Sequence, residues 1–130
     1  MDEIRIGRVT AVDKKHGMVS VSYPDEEDAT TGFLPYLTYA SEYKLPKVKD
    51  IVLVAHLSNG TSSAVVIGGF WNKENVPDVG ESTGWKKFIS ENSYLEFDLK
   101  SQTLRIHAPN IILSCADGTF NLNEWIKGGV

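Results

Sequence analysis

Residues 94–115 carry short rows of apolar residues that a single chain cannot bury, and nothing else in the sequence constrains the fold as strongly. Leu95, Phe97 and Leu99 form one row; Leu104, Ile106 and Ala108 follow the turn Lys100-Ser101-Gln102; Ile111, Leu113 and Cys115 follow Pro109-Asn110. Successive side chains on a strand point to opposite faces, so each row is an apolar stripe with a polar back. The rows are too short and too few to wrap round their own core, and no amphipathic helical pattern is available to cover them. Other copies of the same stripe are the simplest cover. The spacing therefore predicts chains wound together into an intertwined β-prism, an obligate oligomer with these nine residues at its core.

A chain of 130 residues has room for one domain and an appendage. Its apolar fraction of 42% and charged fraction of 23% are those of a folded protein and argue against disorder. The net charge of −4 argues against a phosphate-backbone partner, which needs clustered Lys and Arg. Neither half is a basic arm: residues 1–77 hold 8 basic and 10 acidic side chains, and residues 78–130 hold 5 and 7. Cys115 is the single cysteine, which excludes an internal disulfide and a thiolate metal cage and reads as a small core residue. Met1 leads into Asp2-Glu3 without a basic and apolar leader, so no secretory signal is expected, and no run approaches the roughly 18 apolar residues of a membrane span. Synthesis in the cytoplasm as a soluble protein follows as the expectation.

Along the chain, residues 4–12 read as a strand, with Gly7 marking a bulge or a close backbone approach. Asp13-Lys14-Lys15-His16-Gly17 is a turn, and Val19, Val21 and Tyr23 alternate with Ser20 and Ser22 in a half-buried second strand ended by Pro24. Asp25 to Asp28 is a solvated acidic loop. Phe33 to Leu37 is a short strand in which Pro35 requires an edge or bulged position. Thr38 to Lys49, which contains Pro46, is a loop. Ile51 to Leu57 and Ala64 to Phe70 are nearly continuous apolar strands around Asn59-Gly60, the strongest hairpin signal present. Continuous apolarity predicts burial on both faces, the outer one against a neighbouring subunit. Five strands in a three-plus-two order match a small Greek-key barrel of the OB type. The fold class expected is all-β, with an OB-like collar domain over 1–77, a linker over 78–90 and a trimeric β-helix over 91–130. Trp85 to Ile89 begins the second region. The end of the chain reads either as a helical turn capped by Asn121 or as a last strand.

The segments Ile6-Gly7-Arg8-Val9-Thr10-Ala11-Val12-Asp13 and Gly17-Met18-Val19-Ser20-Val21-Ser22-Tyr23-Pro24 carry a resemblance. They are followed by Leu34-Pro35, Tyr43 with Pro46, Asp50-Ile51-Val52-Leu53-Val54, and Val65-Val66-Ile67-Gly68-Gly69-Phe70 with Pro77. This ordered set resembles the baseplate assembly protein V, or tail-spike, family of contractile phage tails, to which the central spikes of type VI secretion and other contractile injection systems are related. The resemblance covers residues 4–77 well and the C-terminal strands loosely. It implies a homotrimer whose OB-like domains form a collar on the tail tube and baseplate hub, with a triple-stranded β-helix aimed at the host envelope. It also implies residence in the virion tail baseplate or at the tip of an injection particle. Three chains around one axis would leave no open sheet edge and bury each inward row. Burial contributes about 25 cal/mol per Å², so on the order of several hundred Å² per chain would make such a trimer effectively irreversible.

The sequence departs from that family at several points. Some of its spikes bind iron through closely spaced histidines near the tip, whereas His16, His56 and His107 are scattered here, and no segment is long enough to be an inserted lysozyme domain. The C-terminal strands are short, which motivates a separate small tip protein docking on the blunt end.

Other chemistry reads weakly. In the acidic run, Ala29 and Thr30 stand where calcium ligands and the loop glycine should come. Glu96 and Asp98 fall on an outer strand face. His56 alternates with Val52 and Val54 as a hydrogen-bonded barrel histidine, and His107 lies out of phase with its apolar row and so points outward. Three-fold symmetry could gather three copies of His107 into a metal ring, but that phase argues against it. No Gly-x-Ser-x-Gly elbow is present, and Gly68-Gly69 lacks the spacing of a phosphate loop. No catalytic, cofactor or metal residue is assigned, so the chain reads as a structural protein and not an enzyme. Tyr36, Tyr39, Tyr43, Trp71 and Trp85 could form a stacking platform, which makes an OB module for single-stranded nucleic acid or oligosaccharide the alternative. Lys14-Lys15 and Lys86-Lys87 are isolated pairs without the cationic funnel such a groove needs, so collar-interface aromatics are preferred. A cell-wall hydrolase would need a carboxylate in an apolar pocket, of which the sequence gives no sign.

Overall fold

A computed structural model describes residues 3–27, 29–57 and 64–128. Asp28 of the acidic run and the expected Asn59-Gly60 turn lie outside the described residues. The described residues are all-β apart from one short α-helix and a single 3-10 turn, and the chain divides into two compact units, with the break between Val76 and Pro77.

The first unit is a six-stranded antiparallel sheet. Its strands are β1 (Glu3–Asp13), β2 (Met18–Tyr23), β3 (Ala29–Thr30), β4 (Leu34–Pro35), β5 (Ile51–His56) and β6 (Ala64–Gly69), ordered β3-β2-β1-β5-β6, with β4 on the same edge of β2 as β3. Just beyond β4, Tyr36 bridges Val66 of β6, and the Leu37 amide donates to the Val66 carbonyl at 2.9 Å. The segment 34–37 thus pairs with β2 through β4 and reaches β6 through Tyr36 and Leu37.

Val9, Val19, Val21, Tyr23, Leu34, Val52, Val54, Ala64 and Val66 form the core, with Val12 and Tyr36 packed against it. Gly7 is the close approach: a Cβ there would lie 3.2 Å from Val21 Cβ and 3.3 Å from both the Ser22 carbonyl and the Tyr23 ring. The bulge itself falls at Thr10, where pairing shifts between Val9 and Ala11.

One expectation about burial changes. The outward residues of β2 were expected to be solvated, yet Ser20 and Ser22 are buried. The strand is central, flanked by β1 on one edge and by β3 and β4 on the other, and the Ser20 hydroxyl shares a 2.6 Å hydrogen bond with Thr10. In the single chain, β5 and β6 bury one face, with Val52, Val54, Ala64 and Val66 inside, while Ile51, Leu53, Val65 and Ile67 on the side expected to meet a neighbouring subunit are half-exposed. Their outer side continues across register into exposed Ile6 (opposite Leu53) and Ile4 (opposite Ala55).

The second unit contains β7 (Thr83–Ser90), β8 (Ser93–Asp98) and β9 (Thr103–His107) in one antiparallel sheet. A separate hairpin follows, β10 (Ile112–Cys115) with β11 (Gly118–Asn121), and then α1 (Leu122–Lys127). Strand β7 lies within the 78–90 stretch expected as a linker and pairs along β8. Of the two readings of the chain end, the capped turn holds: Asn121 Oδ1 accepts the Glu124 amide at 3.1 Å.

Candidate functional site

Cross-strand pairing places side chains on one face directly opposite each other. In the β7-β8-β9 sheet this aligns Trp85 with Phe97, Phe97 with Leu104, and Leu95 with Ile106. The two apolar rows expected from alternation therefore share one face, joined by Trp85, which belonged to no expected row. The only sequence signal for Trp85 was its placement four residues, two steps of strand alternation, before Ile89, with Lys87 interrupting between them.

The opposite face is polar and internally satisfied. Glu96 accepts from Thr83 Oγ1 at 2.8 Å and pairs with Arg105 at 3.5 Å. His107 stacks on Tyr94 with centroids 5.1 Å apart, on the side away from Ile106 as its phase predicts. Lys86 Nζ lies 4.3 Å above the Tyr94 ring and 4.9 Å above Phe88, and donates to the Asp78 carbonyl.

The apolar face lacks any such cover. Leu104 is 62% exposed, Ile106 58% and Trp85 52%, while Leu95 and Phe97 are only half-buried. Among the described residues of the second unit, none is buried. A sheet of this size ordinarily presses its apolar side against another layer, because that burial is its main source of stability. Within one chain the described residues of this unit form strands, turns and one short helix but no core.

The remaining expected residues are distributed as follows. Leu99 lies just past β8 and rests on Gly84. Ala108 and Ile111 are half-buried on either side of Pro109-Asn110. Leu113 and Cys115 sit on the hairpin, where Leu113 pairs with Phe120, and both are exposed. Phe120 in turn approaches Trp125 of α1, with centroids 6.1 Å apart. The third row is thus on a different sheet from the first two, and Phe120 and Trp125 extend it. An open groove of about 390 Å³ runs along Leu113, Cys115, Asp117 and Phe120.

Among the titratable groups, His56 is a hydrogen-bonded strand histidine in the first unit. Its Nε2 shares a 2.6 Å bond with the Tyr23 hydroxyl, and the Arg5 guanidinium covers the Tyr23 ring at 3.8 Å while pairing with Asp25 and Glu3. His16 instead bonds Asp13 at 2.8 Å on the surface, and that bond, before all else, holds the Asp13 carboxyl below its ordinary range. The aromatics proposed as a stacking platform are not alike in exposure. Tyr36 packs on the core, where burial pushes its hydroxyl pKa up; Tyr39, Tyr43, Trp71 and Trp85 are exposed, and Tyr43 donates to the Lys14 carbonyl. Among the described residues, no group of three or more His, Cys, Asp or Glu is arranged to hold a metal ion, and no helix is long and apolar enough to cross a membrane.

The chain matches no protein-family model, and no curated protein matches it significantly.

Proposed function

We propose that this protein is a structural, self-assembling subunit of a central spike or baseplate hub in a contractile phage tail or related injection apparatus. One observation carries the self-assembling part: the second unit has an apolar sheet face of Trp85, Leu95, Phe97, Leu104 and Ile106 and no buried residue among those described. A face of that composition is stable in water only when something apolar covers it, and identical chains bring the matching surface. The spike assignment rests on the sequence resemblance over residues 4–77. It fits the segment 34–37 reaching both β2 and β6, as an OB-like collar would require. In this reading the work is mechanical: three chains register their apolar rows around one axis, and axial load must shear many contacts together.

The test is the mass of the purified chain in solution. Three copies of a 14.4 kDa chain sediment as a species of about 43 kDa. A stable 14.4 kDa monomer that binds oligonucleotides, with affinity falling as salt rises, would instead select the OB-module alternative.

A further inference from the structure

Among the described residues of the second unit, four outer strand edges, those of β7, β9, β10 and β11, have no strand partner, and a specific clamp holds apart those of β9 and β10, which follow one another in the chain. Strands β9 and β10 are consecutive, and only four residues, Ala108 to Ile111, separate them. A loop of that length is ordinary for a β-hairpin. Yet β9 pairs only with β8, and β10 only with β11. The reason lies in the link. Pro109 has no amide proton to offer a ladder. Asn123 Nδ2 donates to the Pro109 carbonyl at 2.7 Å, while Asn123 Oδ1 accepts the Ile111 amide at 3.0 Å. The Leu122 amide donates to the Ile111 carbonyl at 3.0 Å. With the Pro109 carbonyl and both Ile111 backbone groups taken by residues of α1, the link is held away from a hairpin-loop closure.

The outer edge of β9 also lacks the devices that normally protect an exposed edge. Across the sheet, β7 is guarded by two register shifts and by Lys86 and Lys87. Strand β9 runs in unbroken register, contains no proline and has Arg105 as its one charged residue, and all five of its residues are exposed. Strand β10 has no charged residue and is likewise exposed throughout.

Resting on the oligomeric reading above, the geometry points to a heterologous edge-to-edge contact in which β9 of one copy pairs with β10 of the next. Such head-to-tail pairing uses one donor edge and one acceptor edge per chain, and closes into a ring when the rotation permits. It would carry the Leu104-Ile106 row of one chain into the Leu113-Cys115 row of its neighbour. The alternative of β9 on β9 is disfavoured, since an antiparallel pair centred on the strand sets Arg105 opposite a second Arg105.

The native thiol allows a direct test on the full chain. Cysteine is introduced singly at Leu104 or Ile106, assembly is verified by sedimentation in reductant, and each variant is mildly oxidised. Directly opposed residues on adjacent strands meet the distance needed for a disulfide. The contact predicts covalent oligomers with L104C or I106C that vanish when Cys115→Ser is added, and none with the wild-type chain. Oligomers that persist with Cys115→Ser, or that form in the wild type, would overturn the pairing. If neither variant assembles, hydrogen exchange of the wild-type chain decides. Peptides covering β9 and β10 should both become protected relative to a Phe97→Asp monomer, and unchanged uptake at either strand would overturn the contact. An assembled protein failing these tests refutes this pairing alone, whereas a wild-type monomer refutes the oligomeric reading itself.

Discussion

The side chain of Leu99 rests directly on Gly84: a Cβ at position 84 would lie 2.5 Å from Leu99 Cγ and 2.8 and 2.9 Å from its two methyl carbons. Gly84 is the unpaired residue where β7 shifts register between Thr83 and Trp85, so the bulge creates the seat that Leu99 fills. Its φ is not positive, and alanine fits its backbone.

The effect of Gly84→Ala therefore depends on whether Leu99 can move. In an isolated chain Leu99 is more than half exposed and swings aside, and the lost backbone freedom of glycine makes the substitution stabilising by about 0.5–1 kcal/mol. In a trimer with Leu99 held in the core, overpacking costs about 1–3 kcal/mol per chain. We expect the second outcome, read as a lower midpoint of denaturant-induced dissociation.

Phe97→Asp and Ile106→Asp each place a carboxylate at the centre of the apolar face. Phe97 is opposite both Trp85 and Leu104, and Ile106 is opposite Leu95. The lost burial is about 1.5–3 kcal/mol per side chain before the cost of the charge. Sedimentation should show monomers. Circular dichroism should retain the first unit, whose core of Val9, Val21, Val54 and their neighbours contains neither residue. A variant that still assembles would invert the assigned inward face.

Tyr23→Phe removes the hydroxyl that bonds His56 Nε2 at 2.6 Å and keeps the ring under Arg5. A net loss of about 0.5–1.5 kcal/mol is expected in urea unfolding, with no change in assembled mass. A change in mass would place this cluster at an interface.

Asp98 closes the β8–β9 turn. Its carboxyl is held below the ordinary 3.8, first by the hydrogen bond from the Ser82 side chain, then by that from Ser101, with the Lys100 amide assisting. A depressed carboxyl stabilises the fold above its unfolded value, and the contribution is lost as pH falls through the folded value. Protection of the 99–102 turn amides should accordingly weaken in acid below about pH 4. In Asp98→Asn that acid dependence should flatten, and an unaltered profile would assign it to another group.

The legible parts of this fold are those where one periodicity is enforced by one face. Leu95-Phe97 and Leu104-Ile106 alternate strictly because their opposite faces carry Glu96 and Arg105, and the structure aligns the two rows across register. Three features were less legible. Lys87 interrupts the pattern of β7, so a strand reads as a linker. Ser20 and Ser22 look solvated because their neighbours across the sheet are not visible in a linear pattern. The runs Ile51–Leu57 and Ala64–Phe70 do not reveal from sequence which face the chain buries by itself, and in one chain their outer sides continue into exposed Ile4 and Ile6. The clamp by Asn123 could not be read at all, since an asparagine twelve residues from Ile111 has no periodic signature.

That clamp also bears on trimming by proteases. Cleavage after Asn121 would remove Leu122 and Asn123 together and release the Pro109 and Ile111 backbone. The shortened polypeptide could then fold β9 back onto β10 and satisfy itself. Cleavage at that bond would in this way convert a building block into a chain terminator, with its sheet edge withdrawn from every neighbour.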